Sequence, residues 1–205
     1  MILELHPENP DDRIIHDLVD TLQKGGVIIY PTDTVYSFGC SLKNKRAIER
    51  LAKLKGLKLK KANFSVIFPD LSLLSEYTKH IDRPMYKILN KNLPGPFTFI
   101  LEASNSVPKL FDTNKKTIGI RIPDNKIVQR IVEELGHPLV TTSVRNDDDD
   151  ILEYDTDPYA IAENWENQVE AIVDGGYGKN EASTVVDLSN RDVEIIRQGV
   201  GELEF

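Results

Sequence analysis

The chain has 205 residues, a formal charge of −8 and a single cysteine, Cys40. That length suits one domain with a sizeable core, no run approaches the roughly 20 apolar residues of a membrane span, and a lone cysteine excludes an internal disulfide. The acidic balance argues against a protein that coats nucleic acid through its overall field. The first segment, MILELHPENP, has no basic stretch ahead of an apolar core, so a secretory signal is not expected and the expected location is the reducing cytoplasm.

Along the chain, Ile14, Ile15, Leu18, Val19 and Leu22 recur at helical spacing, and Gly25 and Gly26 stop that helix. Val27 to Tyr30 suits a buried strand, which Pro31 ends by removing a ladder donor. Thr32, Asp33 and Thr34 fall at its exit, a common place for ligand groups in open α/β sheets; a turn with a capping Asp has the same composition. Residues 43–61 hold nine Lys or Arg against Glu49, a local +8 that leaves −16 for the remainder. Within that block Ala47, Ile48, Leu51, Ala52 and Leu54 mark a helix whose other face is basic, suited to phosphates or to solvent. Short strands are predicted at Ser65 to Phe68, Phe97 to Leu101, Thr117 to Ile122, Leu139 to Thr142, Ala171 to Val173, Thr184 to Leu188 and Val193 to Ile196. Helical patterns separate several of them, notably Ile127 to Leu135, and Pro94, Gly95 and Pro96 form a rigid turn before Phe97. The alternation predicts a single α/β domain over residues 1–205, a twisted mixed sheet with flanking helices.

Polar groups gather at several strand ends. Arg121 lies inside the otherwise apolar TIGIRIP, where an arginine needs either a carboxylate partner in the core or an anionic ligand. LVTTSVRN ends a strand with Thr141, Thr142, Ser143, Arg145 and Asn146, hydroxyls and amides able to surround a phosphate or carboxylate. Ser183 and Thr184 follow the glycine-containing GGYGKN, and Arg197 closes the last strand. The acidic run from Asn146 to Asp157 reads as an exposed loop; its adjacent aspartates diverge and lack the spaced ligands of a calcium loop. Cys40 has no evident base, and His6, His16, His80 and His137 show neither triad nor metal spacing.

The ordered set YPTDTVYSFGC, LKG (54–56), LPGPFTFIL (93–101), TIGIRIPDN (117–125), PLVTTS (138–143), ASTVVD (182–187) and IIRQGVG (195–201) resembles the YrdC/YciO family of L-threonylcarbamoyladenylate synthases, over about residues 10–201. The resemblance implies an open twisted sheet with a large concave face that holds ATP and L-threonine. In that family bicarbonate and threonine give N-carboxythreonine, which takes AMP from ATP and releases pyrophosphate; the product feeds the t6A modification of tRNA together with partner proteins. Carried over by motif, Thr32 and Thr34 would border the threonine pocket, Arg121 would meet its carboxylate, and Thr141 and Ser183 would be nearby hydroxyls. Lys55, Ser143 and Arg197 would face the nucleotide phosphates, and Mg2+ would come with the triphosphate. No side chain is expected to form a covalent intermediate, so catalysis would be positioning and charge stabilisation.

Three departures fall on the nucleotide side. The family's lysine-glycine-arginine-proline becomes Lys55, Gly56, Leu57, Lys58, which removes an arginine unless Lys58, Lys60 or Lys61 replaces its charge. Asparagine-proline-leucine becomes Asn63, Phe64, Ser65, and serine-alanine-asparagine becomes Ser143, Val144, Arg145, with Asn146 one place late. The chain therefore resembles the YciO branch more than the YrdC branch. Two other readings stay open: a double-stranded RNA or tRNA binder of the same fold, and an enzyme acting on another carbamoyl or adenylate compound.

Overall fold

The computed structural model describes residues 1–107, 111, 115–144, 156–190 and 192–205. Arg145, Asn146 and the acidic run up to residue 155 lie outside them. In chain order the elements are β1 (Ile2–Glu4), α1 (Asp12–Gln23), β2 (Val27–Tyr30), β3 (Ser37–Ser41), α2 (Lys45–Leu54), a 3-10 turn (Leu59–Lys61), β4 (Ser65–Ile67), α3 (Leu74–Tyr77) and α4 (Arg83–Asn92). They continue with β5 (Phe97–Glu102), β6 (Thr117–Arg121), α5 (Lys126–Leu135), β7 (Leu139–Ser143), α6 (Pro158–Trp165), β8 (Ala171–Asp174), β9 (Thr184–Asp187) and β10 (Glu194–Arg197). The described strands form one sheet of ten in the order β1-β8-β2-β3-β7-β4-β6-β5-β9-β10. It is mixed: β1, β8 and β2 run parallel, as do β4 with β6 and β5 with β9, whereas β3 and β7 are antiparallel to their neighbours.

The helices form where the sequence supplies both a cap and an apolar stripe. Asp11, Asn44 and Asn125 each accept a backbone N–H of the first turn of α1, α2 and α5. Gly136 ends α5 at φ +69°, in the left-handed region that favours glycine. Ile15, Leu18 and Leu22 of α1 and Ile127, Val128 and Ile131 of α5 share one core with Ile28 and Tyr30 of β2, Ile67 of β4, Leu139 of β7 and Val173 of β8. Ala47, Ile48 and Leu51 of α2 join Val27, Ile29, Phe38, Phe99 and Val140 in the other. Alternate residues of β2 thus face opposite cores, as the period of two requires.

This division leaves part of the sheet bare. α1 and α5 cover the face of β8, β2, the start of β7 and the end of β4 at Ile67, and among the described residues the same face of β6, β5, β9 and β10 carries no helix of that core. Thr98 and Ile100 of β5 point into that open face while Phe97, Phe99 and Leu101 point into the α2-side core. Ser65 against Val66, Thr141 against Val140, and Val185 against Val186 repeat the pattern.

Two strands fall outside the pattern expected from sequence. β3 is central and wholly buried, yet SFGCS holds no β-branched residue. Its neighbours build it: β7 pairs along its full length and β2 along Ser37 to Cys40. A Cβ at Gly39 would lie 2.5 Å from Tyr30 Cε1 and 2.9 Å from Leu139 Cδ2, so only glycine lets those side chains close over the strand. β1 pairs with β8 at the sheet edge, and α4 begins at its Asp82 cap without the long apolar stripe that would announce it.

α1 and α5 are clasped at the surface by the His16 ring, 2.8 Å from the Glu134 carboxylate, and by Arg130 on Asp12 at 2.6 Å. The hydrogen bond to Glu134, with the nearby Asp20 charge, raises the His16 pKa above its ordinary 6.5. The folded state then holds its proton more tightly than the unfolded chain, so the clasp stabilises fully below pH 6.5 and is lost as pH rises through the raised value. His16→Gln is expected to lower Tm at pH 5.5 and to leave it unchanged at pH 9; an equal loss at both pH values would show that charge plays no part.

Among the described residues no helix is long and apolar enough to cross a membrane, and no three His, Cys, Asp or Glu gather as a metal site.

Candidate functional site

The open face holds a cavity of about 400 Å³, within the range of small-molecule sites. Its floor is built from alternate strand positions: Ser65 of β4, Thr98 of β5, Thr117, Gly119 and Arg121 of β6, and Thr141 and Ser143 of β7. Val185 and Arg197 extend it across β9 and β10, and Thr34 closes it from the β2–β3 connection. Phe64, Ile100, Val107, Phe111, Ile118 and Ile196 make an apolar side.

Arg121 is the centre of the polar side. Its Nη2 donates to Asp33 Oδ1 and to Thr34 Oγ1, each at 3.1 Å, and the two charged side chains are 7% and 8% exposed. The second Asp33 oxygen accepts the Asp124 N–H at 3.1 Å. Burial pulls the Arg121 pKa down and the Asp33 charge opposes it. Arg121 therefore has the core carboxylate that its position in an apolar strand required. It also keeps a donor, since Nε is buried without a hydrogen-bond partner. A buried donor left over at the wall of a cavity is costly unless something enters to accept it.

The hydroxyls divide by what they already bind. Thr32 Oγ1 donates to the Val35 carbonyl at 2.8 Å and accepts the Thr34 N–H at 3.0 Å, which shapes the turn. Thr32 lines a second depression, beside Pro31, Asp33 and Asp124, instead of the main cavity. Thr141 Oγ1 donates to the Phe38 carbonyl at 3.1 Å, so the 2.6 Å contact with Tyr30 Oη is one in which Tyr30 donates. Ser183 Oγ lies 2.9 Å from Thr98 Oγ1, a pair in which one hydroxyl proton stays available.

On the nucleotide side as predicted from sequence, Ser143 and Arg197 line the cavity, and Arg197 Nη2 donates to the Ser183 carbonyl at 3.0 Å. Lys55 does not line it. Its side chain is buried at the end of α2, and Nζ donates to the Ser143 carbonyl at 3.0 Å. Lys58, Lys60 and Lys61 are exposed on or beside the 3-10 turn and are absent from the lining.

Sequence reasoning missed Thr98, Gly119, Ser65 and Lys115. The first two were detectable as small or hydroxylic residues at alternate positions of strands that are otherwise aromatic or branched. Ser65 and Lys115 carry no such signal, because their place depends on which strands are neighbours.

Among the described lining residues there are three cations, Lys115, Arg121 and Arg197, and no carboxylate. In a chain of charge −8 that concentration selects for an anion. The described lining holds no His or Cys; Cys40 is buried elsewhere, and burial pushes its thiol pKa up. What the arrangement supplies is fixed charge, hydroxyl donors and an apolar wall.

Comparison with known proteins agrees with this architecture. The family model Sua5_yciO_yrdC, described as telomere recombination, matches residues 20–199. YciO of Escherichia coli K12 is 38% identical over 201 residues, covering 98% of this chain and 96% of that one. The crystal structure of E. coli YciO superposes with a TM-score of 0.88 at 37% identity, covering 98% of this chain and 97% of that chain. The threonylcarbamoyl-AMP synthase of Pseudoalteromonas translucida is 30% identical over 189 residues, covering 89% of this chain and 97% of that one. The fold extends to P. abyssi Sua5 complexed with L-threonine, at TM-score 0.87 and 24% identity, covering 97% of this chain and 57% of that chain.

Proposed function

Because the chain belongs to the Sua5/YciO/YrdC family, we propose that its cavity makes threonylcarbamoyl-AMP from ATP, L-threonine and bicarbonate. The observation that carries this reading is the cavity with three cations and no carboxylate among its described lining residues. The synthase relatives support threonine as the substrate.

In the proposed reaction the threonine amine nitrogen attacks the bicarbonate carbon, a C–O bond of bicarbonate breaks, and its oxygen leaves as water to give N-carboxythreonine. An oxygen of the new carboxylate attacks the α-phosphorus, the bond from that phosphorus to the β-phosphate oxygen breaks, and pyrophosphate leaves with the bond's electron pair. Arg121 would pair the threonine carboxylate through its unpartnered Nε, with Thr34 and Ser183 as the nearest hydroxyls. Thr141 and Thr32 would act by holding Tyr30 and the turn in place. Arg197 and Ser143 would face the phosphates, and Lys55 would fix Ser143 by its carbonyl. Mg2+ would arrive on the triphosphate, and the adenylate would pass to proteins that modify tRNA in the cytoplasm. Positioning and fixed charge suffice for phosphoryl chemistry of this kind.

The test is pyrophosphate release from ATP with Mg2+ and bicarbonate, with L-threonine or L-serine. Threonine-dependent release is expected. ATP binding without release would assign the cavity to another carbamoyl or adenylate substrate. Lys55→Ala is expected to weaken ATP binding indirectly, by releasing the Ser143 carbonyl that Nζ holds; unchanged ATP affinity would remove Lys55 from any part in shaping the nucleotide side.

A second reading rests on the outer face of α2 and the turn after it. Lys43, Lys45, Arg46, Lys53, Lys58, Lys60 and Lys61 are exposed there, and among the described residues none of them forms an ion pair. Absence of both pyrophosphate release and ATP binding would move double-stranded RNA or tRNA binding by this face to first place.

A further inference from the structure

We infer that Asn92 is a positioning residue for Arg197: it pins residues 199–205 as a strap, and the strap holds the end of β10 at which Arg197 enters the cavity. The inference rests on the proposed nucleotide reading, which gives Arg197 to the phosphates. β10 has little else to hold it. All of its residues are exposed, β9 is its neighbour at the edge of the described sheet, and its register shifts between Ile195 and Arg197. An edge strand with so little burial frays unless something outside the ladder ties it down.

The strap has an anchor at each end. Near the cavity, Thr184 Oγ1 accepts the Gly199 N–H at 3.0 Å and donates to the Gly201 carbonyl at 2.7 Å, and Gln198 Nε2 donates to the same carbonyl at 2.9 Å. Ser183 and Val185 line the cavity, so Thr184 between them faces the other way, and β9 joins the cavity wall to the strap. At the far end, Asn92 is buried at the close of α4 and lies outside the cavity lining. Its Nδ2 donates to the Glu204 carbonyl at 2.8 Å and its Oδ1 accepts the Glu204 N–H at 2.9 Å, as a neighbouring strand would. Lys91 Nζ donates to the Phe205 carbonyl beside it. Between the anchors the strap lies flat on the core, since a Cβ at Gly201 would come within 2.5 Å of Cζ of the buried Phe97 ring. With its backbone held in this way, Arg197 reaches back to donate from Nη2 to the Ser183 carbonyl at 3.0 Å, which aims the guanidinium along the cavity wall.

Calorimetric titration of the full chain with ATP and with L-threonine tests this on wild type, Asn92→Ala, Gly201→Ala, Arg197→Ala and the two double variants that include Arg197→Ala. Asn92→Ala removes the pin, whereas Gly201→Ala lifts the strap off Phe97 with the pin intact. Each is expected to weaken ATP binding about five- to twentyfold, to leave L-threonine affinity unaltered, and to add nothing once Arg197 is replaced by alanine. Amide hydrogen exchange over residues 194–201 should quicken in both single variants while that of α1 and α5 stays as in wild type. Wild-type ATP affinity in Asn92→Ala would overturn the role of Asn92 and leave the proposed function standing. A loss that persists in full in the Arg197→Ala background would make the strap a general support of the fold and overturn that role as well. A wild-type protein that binds no ATP at all would overturn the nucleotide reading itself, and the inference with it.

Discussion

Arg121→Ala is expected to abolish threonine-dependent pyrophosphate release and to destabilise the protein by about 3–5 kcal/mol, the usual cost of removing one partner of a buried ion pair. Both effects come from the same geometry. The guanidinium holds Asp33 and Thr34 through Nη2 and presents Nε without a partner. Without it, the hydrogen bond that remains to Asp33 among the described residues is the Asp124 N–H, in a site where its side chain is 8% exposed. The two roles separate in the double variant Arg121→Ala with Asp33→Asn, which removes the stranded charge. That variant is expected to recover much of the lost Tm and none of the turnover. Recovery of threonine-dependent turnover along with Tm would make Arg121 a structural residue and remove it from the substrate site.

Gly119→Leu should empty the site without unfolding the protein. A Cβ at Gly119 would lie 3.0 Å from Ser65 Oγ and 3.5 Å from Thr98 Cγ2, a tight fit that the Ser65 hydroxyl can relieve by rotating. The rest of a leucine side chain would then rise from the middle of the cavity floor, between Arg121 and Thr117 on the same strand face. Pyrophosphate release and ATP binding are expected to fall below detection, with Tm shifted by only a few degrees. Wild-type turnover in a folded Gly119→Leu protein would show that the chemistry happens elsewhere. Gly119→Ala is the graded control, with a partial loss expected because the floor rises by one methyl group.

Much of the fold was legible because its signals are local. The stripes of α1, α2 and α5, the stop at Gly25 and Gly26, and most of the strands follow from side-chain period and backbone freedom within a few residues. β3 was not legible, because SFGCS becomes a strand only through β2 and β7 on either side. The site was legible to a similar extent. Thr34, Arg121, Thr141, Ser143, Ser183 and Arg197 all reach one cavity from separate stretches of sequence. Thr32 and Lys55 lie beside it, holding a turn and a carbonyl.

The amino-acid sequence by itself determined the alternation of strand and helix, the family to which the chain belongs, and the placing of hydroxyls and two arginines, Arg121 and Arg197, at strand ends. Tertiary structure decided which of those groups still have something to offer a ligand. Asp33 and Arg121 are 88 residues apart in the chain, and so remote a pairing cannot be read from either segment alone. Likewise Thr141 is occupied by Phe38 and Tyr30, and Lys115 arrives beside Ala62, through contacts between distant segments. Periodicity is a property of neighbouring residues, whereas a hydrogen bond is filled or left open by whichever strand register brings to it.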